Sequence, residues 1–164
     1  MKNTINKWEA KEHYEFFYSL PKGIGNKAFL LFKFDGVENF KNSYTVISNM
    51  IKSVETEAYQ EFEKERFEII RKYAVKDEFG RIVPTDGEVE IVDGKMEEVK
   101  IVMATLNEKY KDAILEYDTN FNEIWEVAHK EEVEVDIPMI SFDDVPEGLS
   151  ETEMNYIFKY FLKR

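Results

Sequence analysis

From Phe40 onward the apolar positions fall in alternating steps. Phe40, Tyr44, Ile47, Ile51, Val54 and Ala58 are spaced four, three, four, three, four. That alternation is the seam of one helix packed lengthwise on another. Phe62 follows after a second step of four, which locally unwinds a supercoil, and Phe67, Ile69, Ile70 and Tyr73 extend the stripe. No Gly or Pro interrupts residues 37–79, and Asp35 with Glu38 reads as a capping box opening this helix. A second stripe runs through Met96, Val99, Met103, Leu106, Tyr110, Ala113 and Tyr117, then Phe121, Ile124 and Ala128 after another double-four step. The shared phase predicts two long helices that pair with each other, with Asp118-Thr119-Asn120 as the weak point of the second.

Residues 80–94 lie between them. Asp86-Gly87 flanked by short β-branched runs signals a hairpin, and Pro84 confines its strand to an edge. The expected architecture is mainly α with a small β component (α+β). It is a long antiparallel helical hairpin over 38–128 with a β-hairpin tongue at its tip, plus terminal helices and a short strand. A first helix is expected over residues 8–20, ended by Pro21. The stretch Ala28-Phe29-Leu30-Leu31-Phe32-Lys33-Phe34 is too short to type by period and fits a strand or a helix, with a slight balance toward helix. Val133, Val135 and Ile137 alternate with Glu134 and Asp136 as a half-buried strand. Ser150-Glu151-Thr152-Glu153 is a capping box for a last helix. A hairpin returns both ends of the chain to one place. The whole is therefore expected as one domain, 1–164, with 1–36 and 131–164 packed together at the end opposite the tongue.

Composition adds constraints. The 164 residues include 13 Phe, 9 Tyr and 2 Trp, enough apolar surface to exclude a wholly disordered chain. No apolar run nears the ~20 residues of a membrane span, and Met1-Lys2-Asn3-Thr4-Ile5-Asn6-Lys7-Trp8 lacks a signal-peptide core, so a soluble protein is expected. Without cysteine there is no disulfide, thiolate nucleophile or Cys-zinc site. The formal charge of −12 is graded, from +2 over residues 1–36 to −6 over 131–164. Such a surface disfavours direct nucleic-acid binding and suits either solubility or a basic partner.

Candidate chemistry is sparse. His13 and His129 stand outside any metal-ligand spacing and read as core or helix-surface side chains. Glu131, Glu132, Glu134, Asp136, Asp143 and Asp144 lack the ligand spacing and central Gly of a calcium loop. Gly23-Ile24-Gly25 has no following Lys-Ser/Thr, and no serine sits on a nucleophile elbow. No catalytic, metal or cofactor residue is therefore expected. Aromatic and β-branched residues offer contact surface instead: Phe16, Phe17, Phe32 and Phe34 near the start, Phe142, Phe158 and Phe161 near the end, and Ile82, Val83, Val89 and Ile91 on the tongue. A flank of Val46, Met50, Ile101, Ile114 and Leu115 also lies off the seam, where one partner helix cannot cover it.

The order of parts resembles a known family. The helix ending Glu65-Arg66-Phe67-Glu68-Ile69-Ile70-Arg71-Lys72-Tyr73-Ala74 leads to the turn Lys76-Asp77-Glu78-Phe79-Gly80 and a hairpin. A second helix carries Leu106-Asn107-Glu108-Lys109-Tyr110, then come the strand Glu131-Glu132-Val133-Glu134-Val135-Asp136-Ile137-Pro138 and the phrase Ile140-Ser141-Phe142-Asp143-Asp144-Val145. Over residues 38–149 this is similar to a family of small acidic proteins, of uncharacterised activity, encoded by tailed bacteriophages. The resemblance implies a phage origin, in the virion or the bacterial host cytoplasm. The expected role is a non-enzymatic structural or assembly protein that contacts other virion proteins as a homo- or hetero-oligomer. The alternative is an early protein that inhibits a host nucleic-acid-binding or defence protein by acidic mimicry.

Overall fold

The structure, a computed structural model, describes residues 2–85 and 88–163. Its contacts divide the chain into two compact units, one of residues 1–52 with 122–164 and one of residues 53–121. The fold is mainly α with a small β component, as the patterns predict.

The first unit begins with a strand that no local pattern marks. β1 (Lys2–Asn6) pairs antiparallel with β4 (Glu132–Asp136), with Ile5 opposite Val133 and Asn3 opposite Val135. Only Ile5 in β1 is strongly apolar, so its strand character comes from a partner about 130 positions away. Asn6 ends the strand and caps α1 (Lys7–Ser19), its side-chain oxygen accepting from the Glu9 amide at 2.7 Å. Leu20 is already extended because Pro21 disfavours the helical region for its predecessor.

α2 (Lys27–Ser53) settles residues 28–34 as helix. It also runs through Asp35-Gly36, so Asp35 is not the N-cap of a capping box. Gly36 serves packing: a Cβ there would lie 2.3 Å from the Phe17 ring. Asn26 opens the helix instead, accepting from the Phe29 amide at 3.0 Å.

The core of this unit is aromatic. Phe17, Phe29, Phe40 and Phe161 are fully buried, with Phe32 and Ile157 beside them. Phe17 lies 4.8 Å from Phe161 and 4.9 Å from Phe32, ring centre to ring centre, in tilted and edge-to-face contacts. The two terminal aromatic clusters thus pack together. α6 (Glu151–Tyr160) opens with the expected box, the Ser150 and Glu153 side chains each reaching the other's backbone amide. The tail then bonds back at Ile140, whose amide donates to the Phe161 carbonyl at 2.9 Å.

In the second unit α3 (Glu57–Tyr73) lies antiparallel to α4 (Met96–Lys109) and to the first half of α5 (Lys111–Lys130). Tyr59 stacks on Tyr117 with centroids 3.8 Å apart, Phe62 meets Tyr110 at 5.9 Å, and the Tyr73 hydroxyl donates to Glu98 at 2.7 Å. This is the expected hairpin, in shorter pieces. The first long helix stops at Ser53 and restarts at Glu57, with Thr56 as N-cap accepting from Tyr59 at 3.3 Å. Absence of Gly and Pro did not guarantee continuity, and Ala58, expected in the seam, is exposed. The second long helix is distorted at Tyr110, not at residues 118–120. There Thr119 bonds back to the Leu115 carbonyl at 2.8 Å, so the turn residues are satisfied within the helix.

In the tongue, β2 (Pro84–Thr85) and β3 (Glu88–Val89) form a short antiparallel pair. Asp86-Gly87, the predicted turn, lies outside the described residues. Bridges Ala74–Ile91 and Lys76–Ile82 tie this hairpin to the end of α3.

Candidate interaction surfaces

Burial sorts the sequence candidates. Phe17, Phe32 and Phe161 are core residues and cannot form a contact surface: each fills the aromatic centre of the first unit. Phe16 is half-buried, stacked on Tyr156 at 4.2 Å. Phe34 and Phe142 remain outside, 64% and 66% exposed, and Phe158 is exposed beside Phe142, the two rings stacked at 5.6 Å. On the tongue Val83 and Val89 are exposed while Ile82 and Ile91 are half-buried in its bridges. Three of the eleven candidates thus leave the surface, and the rest fall in separate patches.

The first unit carries an apolar depression of about 310 Å³ lined by Tyr18, Leu30, Phe34 and Val37, with Lys22 and Lys33 at its rim. Lys33 reaches back to the Leu20 and Pro21 carbonyls, neutralising the end of α1. Burial, then Lys22 nearby, pushes its pKa down. Tyr18 and Leu30 were not among the candidates. Their signal was present in the sequence, since Leu30 and Phe34 are four apart on one helical face.

The second unit has a groove of about 660 Å³ between α3 and the α4–α5 arm of the hairpin. Tyr59, Phe62 and Ile114 are its apolar lining near the seam. Glu63 and Arg66 line it on α3, and Ala104, Glu108, Lys111, Leu115 and Asp118 on α4–α5. Burial, then Glu63, raises the Tyr59 hydroxyl to about 12, so it stays protonated at neutral pH. Leu115 is 65% exposed, and Ile101, one turn before Ala104, is 68% exposed. Ile101, Ala104, Glu108, Lys111, Leu115 and Asp118 step three, four, three, four, three, a second row beside the buried seam, half apolar and half charged. Two members, Ile101 and Leu115, belong to the flank expected to lack cover.

The opposite side of the hairpin is polar and already bridged. Glu65 accepts from Lys109 at 2.7 Å and from the Tyr110 hydroxyl at 2.8 Å, and these hydrogen bonds hold its carboxyl below the usual range.

The titratable groups singled out by type have structural partners. His13 is buried in the first unit, its Nδ1 3.0 Å from the Tyr156 hydroxyl and its ring 5.1 Å from Phe40. His129 lies on α5 with Nδ1 2.8 Å from the Trp125 carbonyl, between the rings of Trp8 and Trp125. In the acidic segment Glu131 pairs with Lys7 at 2.5 Å and Asp144 accepts from Asn26 at 2.9 Å. Glu132, Glu134 and Asp136 project together from the exposed face of β4. Among the described residues no group of three or more His, Cys, Asp or Glu is arranged to hold a metal ion. No helix among them is long and apolar enough to cross a membrane. Comparisons with protein-family models, curated proteins and solved structures returned no match for this chain.

Proposed function

We propose that this chain is a non-enzymatic bacteriophage protein, a structural or assembly component that works through protein–protein contacts in the virion. The observation that carries the reading is the distribution of exposed apolar side chains. Large ones stand out on both units: Phe34 and Phe142 on one, Ile101 and Leu115 on the other. Isolated exposed hydrophobes are ordinary, but rows along a groove and stacked exposed pairs mark contact surfaces. The phage assignment rests on the order of elements across residues 38–149. Mass spectrometry of purified virions tests it: the protein should be a stoichiometric component, and its absence from virions and assembly intermediates overturns the reading.

One observation favours a second reading. Glu132, Glu134 and Asp136 form a row of exposed carboxylates on β4, each ~6.7 Å from the next. Such a row suits a basic, nucleic-acid-binding host protein captured by mimicry. Capture from host lysate that weakens steeply with salt supports it, and salt-insensitive or absent capture counts against it.

A further inference from the structure

The second unit buries little of its own. Of the nineteen buried hydrophobic residues among the described ones, only Phe62, Tyr73, Ala74, Val99 and Leu106 belong to residues 53–121. A helical hairpin has one buried seam, and two helices alone leave a flank of each in water. Here one flank is the polar side bridged by Glu65, Lys109 and Tyr110. The other is the groove, where Ala104 and Leu115 stand among charged side chains.

Charge narrows the choice of occupant. Residues 53–121 hold ten basic and eighteen acidic side chains, which would keep two copies apart on most faces. The groove carries both signs, Arg66 and Lys111 among Glu63, Glu108 and Asp118. Its ion pairs are loose and local, Arg66 to Glu63 at 3.5 Å and Lys111 to Glu108 at 3.9 Å, each between side chains at least 40% exposed. Both can be exchanged for pairs across an interface at little cost. Each wall therefore carries both signs, and each sign has its complement on the facing wall.

We infer that the groove between α3 and α4–α5 is a self-association surface, in which two copies of this chain pair their hairpins as a four-helix bundle. This rests on the reading of the chain as a protein-contact module and names its partner as a second copy. Two-fold pairing sets the α3 wall of one copy against the α4–α5 wall of the other, bringing Arg66 to Glu108 and Lys111 to Glu63. Leu115 and Ala104 then enter the new seam. Two helices side by side over about 17 residues present a face of roughly 25 by 20 Å, half of a four-helix bundle. With side-chain relief that face approaches the ~800 Å² each partner buries in a standard interface.

The test is sedimentation equilibrium on the full chain with surface variants. The wild type should be a dimer, and Leu115→Asp should raise the dissociation constant about tenfold or more without changing helical content. Arg66→Glu should weaken the dimer, and adding Glu108→Arg in the same chain should restore it, with the urea midpoint of the monomer unchanged in both variants. A wild type that stays monomeric, or a dimer indifferent to Leu115→Asp and to the charge exchange, overturns the inference. Neither of those results touches the virion measurement, so this surface can fail while the proposed function stands.

Discussion

At Gly36 two residue-scale effects oppose each other. In the middle of α2 a glycine costs about 1 kcal/mol relative to alanine, so propensity favours replacement. A Cβ at this position would meet three Phe17 ring atoms at 2.3–2.4 Å, and Phe17 is fully buried with neighbours on every side. The ring cannot yield without displacing Phe32, Phe40 and Phe161, so overpacking wins. Gly36→Ala should destabilise the protein by about 1–3 kcal/mol net in urea unfolding. A variant as stable as the wild type would show that the α1–α2 contact is looser than described. Residue identity alone could not reveal this. An Asp-Gly pair normally reads as a turn, and only the ring across the helix pair explains a glycine that stays helical.

Among elements, the α1–α6 contact is the one most exposed to pH. His13 on α1 faces Tyr156, Tyr160 and Phe161 near the end of α6 and Phe40 on α2, with Glu9 of its own helix 3.7 Å from Nε2. Burial lowers its pKa from 6.5 to about 4, and the single carboxylate does not offset the lost hydration. The unfolded chain therefore binds this proton first as pH falls. The stability it contributes is fully present above pH ~6.5 and is lost progressively toward pH ~4. Between pH 7 and 5 the loss from this group should be about 2 kcal/mol, and His13→Phe should remove most of that pH dependence. Parallel urea titrations of both proteins at the two values check it; identical pH slopes would contradict it. Elements with local signals were legible: α1 ended by Pro21, β4 by alternation, α6 by its capping box. What escaped depends on distant partners or on competing caps. β1 exists because β4 pairs with it, and the break at residues 54–56 coincides with the Thr56 cap that opens α3.

For the whole molecule, the paired stripes predicted helices packing on each other, and they do so where α3 meets α4 and α5. The same stripes could not show that α2 instead joins the aromatic unit formed by the two ends of the chain, because both uses demand the same spacing. Contact surface was only partly legible for a related reason. Composition identifies aromatics, but Phe17, Phe32 and Phe161 are core while Phe34 and Phe142 are outside, a distinction set by the fold. Ile101 and Leu115 were visible in the sequence as uncovered positions, whereas the groove that Leu115 shares with Glu63 and Arg66 depends on the fold. As proposed above, these exposed surfaces serve contacts within a phage particle. Quantitative mass spectrometry of purified phage virions is the direct test of that proposal. The protein should be present at a fixed copy number per particle that survives salt washing; finding it only in infected-cell lysate, and in neither virions nor assembly intermediates, overturns the proposal.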